Sequence, residues 1–195
     1  VTRRLARACT EVLAPWVWVL TLPFALAWHV TGTLAGTALW GLLVALTASV
    51  LPMAVIVRGA RRGRWKGHHV TDREGRVVPL FTAAASLAAG TVVMLVGGAP
   101  RPMLALMGSM VAALVVSSVV TFGLRWKISL HSAVAFASTA TMAVLFGLWP
   151  LVFLVPAVLV AWSRVELGDH TTAQVLAGAL MGVVVGGGTF WVLLG

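Results

Sequence analysis

Residues 132–163 carry no charged side chain. As one helix rising about 1.5 Å per residue they would extend about 48 Å, well past the roughly 30 Å hydrocarbon layer of a bilayer. A run this long and this apolar makes lipid, not water, the solvent of the fold. Gly147-Leu-Trp-Pro150 interrupts it near the middle. Two shorter membrane helices, about 131–147 and 150–164, fit better than one tilted and kinked span. Two helices bring the polar residues before 132 and after 163 to one membrane surface; a single span would separate them.

The rest of the chain repeats the pattern. Apolar segments predict spans at about Val12–Val30, Leu34–Val57, Val77–Gly97, Met103–Leu124 and Thr171–Leu194. The first is too long for the apolar core of a signal peptide and reads as a span. Trp16, Trp18 and Trp28 lie towards its ends, as interfacial anchors do, and Pro15 and Pro23 would bend it. The 195 residues are 60% hydrophobic and 10% charged, against about 25% charged in soluble domains. The predicted fold class is an all-α polytopic transmembrane bundle of six to seven spans. It forms one membrane domain over 1–195: two N-terminal spans (1–57) and a core (58–195) with three polar motifs. Gly178, Gly182 and Gly186 make a four-residue stripe that predicts close approach of a neighbouring helix.

The net charge of +9 does not indicate nucleic acid. The basic residues sit in short loops between apolar runs and, apart from Trp65, lack interleaved aromatics for base stacking. They fit topology signals and contacts to anionic headgroups. With alternating spans, the loops after spans two, four and six share one side. Of the 14 Lys and Arg, only Arg101 falls on the other side. The positive-inside bias predicts that the polar face and the N-terminus are cytoplasmic, as in a bacterial inner membrane protein. Cys9 is the single cysteine, so neither an intrachain disulfide nor a cysteine metal cluster is expected. No span has a charge in its interior, which argues against a transporter.

Each loop on the shared side holds a polar cluster. The first contains His69, Asp72, Arg73, Glu74 and Arg76; His69, Arg73 and Arg76 share a helical face. The second is Arg125-Trp-Lys-Ile-Ser-Leu-His131, with Lys127 and Ser129. The third is Ser163-Arg164, five residues, His170 and then Gln174 one turn later. Guanidinium forks bind phosphate oxygens in pairs. Imidazole serves as nucleophile or general acid near neutral pH. Together they are the parts for binding a phosphate and attacking it.

These spacings resemble the type-two phosphatidic acid phosphatase superfamily, membrane lipid phosphatases related to vanadium haloperoxidases. Its pattern is KxxxxxxRP, PSGH, then SRxxxxxHxxxD. Ser163, Arg164 and His170 match the third motif, with Gln174 at the Asp position. Ile128-Ser129-Leu130-His131 keeps the Ser and His of the second. Arg76 matches the first, with His69 at the Lys position and Val77 in place of Pro. The resemblance covers about residues 66–180.

The resemblance implies a metal-independent phosphatase, without cofactor, acting on a lipid phosphate or isoprenoid (di)phosphate. His170 would attack phosphorus and form a phosphohistidine, and His131 would protonate the leaving oxygen. Arg76, Arg164 and the hydroxyl or backbone N–H of Ser129 would cradle the phosphate. By proximity and charge, Arg73 and Lys127 would join them in place of the missing lysine, with His69 beside them. In the family the Asp orients the nucleophilic His; neutral Gln174 can accept the same hydrogen bond, and Asp169, Glu166 or Asp72 are candidates to supply the missing charge. Two alternatives stand beside the phosphatase: a non-catalytic lipid-phosphate binder or assembly protein, and a phosphoryl transferase of the same fold.

Overall fold

The computed structural model of the protein describes residues 1–63 and 77–195. Among these, every regular element is helical. We number the helices α1 (Thr2–Val12), α2 (Pro15–Thr31), α3 (Leu34–Arg61), α4 (Val77–Val96), α5 (Arg101–Gly123), α6 (Leu130–Phe146), α7 (Trp149–Glu166) and α8 (Thr172–Leu194). Five of them, α3, α4, α5, α7 and α8, are long and apolar enough to cross a membrane. The bent pair α1–α2 makes a sixth candidate, and α6 is a shorter apolar helix of 17 residues. The chain is thus an all-α polytopic membrane bundle.

The stretch expected to form span one behaves differently. Helix starts at Thr2, stops at Val12 and restarts at Pro15, with a bend of about 40°. Proline disfavours helical geometry in the residue before it; Ala14 is accordingly extended, at φ −60° and ψ 151°. Pro15 therefore opens a new helix instead of bending a continuous one. Trp18 is also not an interfacial anchor. It is buried, packs edge-on against Phe153 at 6.4 Å and donates Nε1–H to the Leu13 carbonyl across the break. Trp16 and Trp28 do remain exposed.

The charge-free run divides as its length requires. Gly147 takes φ +82°, a conformation that L side chains rarely adopt. A 3₁₀ turn over Trp149–Phe153 then starts α7, which packs back along α6. At the far end Arg101 Nε donates to the Leu193 carbonyl over 3.1 Å, joining the start of α5 to the end of α8. His29 stacks edge-on with Phe146 there, ring centres 4.8 Å apart, away from the other polar clusters.

Local departures from α geometry widen the bundle. In α3 a π-helical stretch, Leu46–Val50, immediately precedes Pro52, whose ring interrupts the usual bonding one turn back. Ser86 of α4 donates to the Thr47 carbonyl over 2.6 Å, and Ser49 to the Trp16 carbonyl over 3.2 Å. The main apolar core, with Leu26, Val44, Met94, Met103, Leu106 and Phe190, joins α2–α5 to the end of α8.

The glycine stripe of α8 lies against α6. A Cβ at Gly178 would strike the Ser129 carbonyl, one at Gly182 the Ala133 carbonyl, and one at Gly186 would come within 2.6 Å of the Ala137 Cβ. Backbone cannot yield as a side-chain tip can. Gly182→Val is expected to lower stability by about 1–3 kcal/mol or more, seen as a fall of several degrees in thermal midpoint in detergent. Gly188→Ala, with open space around its Cβ, should be neutral. Equal midpoints for the two variants would contradict the packing described.

Candidate phosphate-binding site

The site is built where α7 ends and α8 begins. The Arg164 carbonyl accepts both the Asp169 and the His170 backbone N–H, at 3.1 and 3.2 Å. Gly168, at φ +75°, allows the chain to reverse between them. Thr171 then caps α8: its Oγ1 accepts the Gln174 N–H, and Gln174 Oε1 accepts the Thr171 N–H, at 3.3 and 3.2 Å. The five residues between Arg164 and His170 are therefore one helix-ending turn. It brings Arg164 and His170 to the lining of one cavity.

Gln174 also fixes the imidazole. His170 Nδ1 lies 3.1 Å from the same Oε1 that receives the Thr171 N–H. An amide oxygen only accepts, so Nδ1 carries a proton, and in the neutral ring the lone pair is on Nε2. The backbone N–H also settles which end of the amide is oxygen. Gln174 thereby does locally what an Asp at this position would do for orientation, without its charge.

Arg164 is 1% exposed. One terminal nitrogen pairs with Asp169 at 3.0 Å, while its buried Nε has no hydrogen-bond partner among the described residues. A buried cation that is only partly satisfied favours an anion at its open edge. Asp169 is thus engaged with Arg164. Lys127 donates Nζ–H to the Asp169 carbonyl over 2.9 Å, tying the second cluster to the third.

Ser129 is placed differently from expectation. Its Oγ caps α6, accepting from Ser132 N at 3.4 Å and lying 3.2 Å from Ser132 Oγ. Its backbone N–H donates to the Gln174 carbonyl over 3.1 Å. Wholly buried, it joins α6 to α8 through that N–H, while its Oγ accepts from Ser132. The next turn of α6 presents His131.

His131, Arg164 and His170 line one cavity of about 310 Å³. That volume is at the lower end for ligand pockets. Its other walls are mostly apolar, with Ser49, Ser109, Ser117, Ser138 and Thr141 among them, and come from most of the bundle: Trp16 and Leu22 of α2, Met53 of α3, Leu80 of α4, Met110 of α5, and α6 as far as Thr141. From His131 to Thr141 is ten residues, about 15 Å of helix. The polar groups occupy one end and the apolar walls continue inward. Lys127 and Gln174 lie behind this front rather than on it. His69, Arg73 and Arg76, with Asp72 and Glu74, lie outside the described residues. Neither Thr10 nor Glu11 stands out in the sequence, yet Thr10 Oγ1 is 2.8 Å from Ser163 Oγ, and Glu11 acts electrostatically on Arg164. In the sequence Pro15 only bends span one, and nothing there places the N-terminal stretch against α7.

Asp169→Asn removes the carboxylate paired with Arg164, leaving Glu11 acting on it, and is expected to cost about 1.5–3 kcal/mol. An anion at the open edge should recover part of this. Inorganic phosphate or vanadate is therefore expected to raise the thermal midpoint of Asp169→Asn more than that of the parent protein. Anion responses that are equal, or absent from both, would contradict an anion site at Arg164.

Comparison with known proteins gives a short match. Over 37 residues, 19% of this chain, the sequence is 57% identical to lipid phosphate phosphatase gamma of Arabidopsis thaliana. The match spans 16% of that relative's length. No family model matches the chain, and no solved structure matches it. The short match forms a limited link to the lipid phosphatases that the motifs resemble.

Proposed function

We propose that the protein is a phosphatase that removes phosphate from a lipid phosphate or isoprenoid (di)phosphate through a phosphohistidine. The observation that carries this reading is the shared cavity: two imidazoles and a buried guanidinium at one end, apolar walls beyond. The phosphoryl group would sit at the open edge of Arg164, with the hydrocarbon chain along the apolar walls, entering laterally from the bilayer. His170 Nε2 attacks phosphorus; the P–O bond to the lipid breaks, and His131 gives its proton to the departing oxygen. Water, deprotonated by the same imidazole, then displaces phosphate from Nε2. The developing charge on the equatorial oxygens falls to Arg164, with Arg76, Arg73 and His69 completing the cradle and Lys127 adding positive charge. This chemistry calls for no metal or cofactor. The phosphatase core would occupy 58–195, and the excess of cations at this rim supports a cytoplasmic placement in a bacterial inner membrane.

A second reading is favoured by one residue. Gln174 orients His170 but brings no negative charge to stabilise a developing imidazolium, which suits a lipid-phosphate binder without turnover. Transfer to an acceptor other than water is the third possibility, read from the products.

The test is phosphate release from prenyl phosphates, prenyl diphosphates and phosphatidic acid, with chelator present. Release is expected from the parent protein, with an acid-labile phosphoprotein trapped on rapid quenching. His170→Ala and Arg164→Ala should lose at least about a thousandfold in rate, and His29→Ala should lose nothing. Gln174→Glu keeps the reach of the glutamine and adds the charge, so it should match or exceed the parent; Gln174→Asp, one methylene shorter, should also retain activity. Equal release by the parent and His170→Ala would end the enzyme reading. Tight substrate binding without release or phosphoprotein would establish the binder.

A further inference from the structure

α1, the N-terminal half of the bent α1–α2 pair, has three faces. Ala6 and Thr10 are buried where it packs on α7. At about 100° per residue, Arg3, Arg4 and Arg7 fall on one outward arc, which Glu11 shares, and Leu5, Ala8 and Val12 on a neighbouring one. The three arginines and the three apolar residues are all exposed, Leu5 by 55% and Val12 by 67%. Its axis turns about 40° from α2. Arg58, Arg61 and Arg62, also exposed, end α3 at the same end of the bundle.

An apolar strip beside a mainly cationic one, on a helix set at about 40° to α2, fits a helix at the bilayer interface. The cations select its partner: each Lys or Arg near an anionic surface adds to binding, and zwitterionic headgroups give no such gain. We propose that α1 docks on the anionic phospholipid headgroup layer, and that docking holds the Ser163–Arg164 end of α7 in place. The link is local. Thr10 Oγ1 bonds to Ser163 Oγ within a buried contact, one residue before Arg164, and Glu11 beside it acts on the guanidinium. The lipids recognised here belong to the surrounding membrane, and their headgroups are distinct from any phosphate in the cavity. The docking claim does not depend on turnover.

Cys9, the single cysteine, lies on α1 between the apolar and packed faces. The full chain, spin-labelled there, is compared in nanodiscs of phosphatidylcholine alone and of phosphatidylcholine with phosphatidylglycerol. A label on Ala8→Cys in a Cys9→Ser background guards against disturbance of the packed face. With phosphatidylglycerol the label should become less mobile and more accessible to oxygen than to a water-soluble nickel complex. High salt should reduce the difference, and the combined Arg3→Gln, Arg4→Gln and Arg7→Gln variant should abolish it. Backbone hydrogen exchange over residues 160–170 should slow by about threefold in the same discs, and not in Thr10→Val. A label indifferent to phosphatidylglycerol at both positions overturns the proposal. So does a responding label with exchange over 160–170 unchanged.

Discussion

The closeness of α8 to α6 is the constraint on which the site depends. Gly178, Gly182 and Gly186 leave no room for a Cβ against the carbonyls of Ser129 and Ala133 and the Ala137 side chain. Lipid offers no hydrophobic drive for two apolar helices to meet, so contact of this kind rests on small residues and close van der Waals packing. Its first turn carries the consequence. With Gly178 on the Ser129 carbonyl, the Ser129 N–H reaches the Gln174 carbonyl. The start of α6, which presents His131, is thereby fixed to the start of α8, which follows His170. A packing stripe and a polar site are one construction.

The rim is held by backbone groups that helix ends leave over. The last carbonyls of α7 accept the N–H groups of the turn that carries His170, and the first N–H groups of α8 are taken by Thr171 and Gln174. Gln174 does two things with one oxygen: it closes the cap and sets the tautomer of His170. Replacing it thus touches helix stability and imidazole orientation together. Arg164, by contrast, is held by a side chain that can exchange its place with a ligand, since Asp169 is itself partly exposed.

Much of this was legible in the sequence, for identifiable reasons. The uncharged run over 132–163 had to be divided, and Gly147 supplied the place. The glycine stripe announced a close helix contact, and Ser163, Arg164 and His170 announced a polar turn. Other features were hidden because they depend on packing. Trp18 reads as an anchor until Phe153 is found against it. The Ser129 N–H, one of the expected phosphate donors, is instead committed to the Gln174 carbonyl. Asp169, a candidate acid behind His170 in the sequence, is found paired with Arg164. α1 could not be read from periodicity alone, since its buried face consists of small and polar residues, Ala6 and Thr10, rather than an apolar stripe.

The most direct measurement is an experimental structure of the full chain with orthovanadate, whose five-coordinate form imitates phosphoryl transfer. The account predicts vanadium bonded to His170 Nε2, with Arg164 Nε and a His131 ring nitrogen within about 3 Å of its oxygens. Vanadate bound elsewhere, or imidazoles of His131 and His170 too far apart to reach one ion, would contradict it.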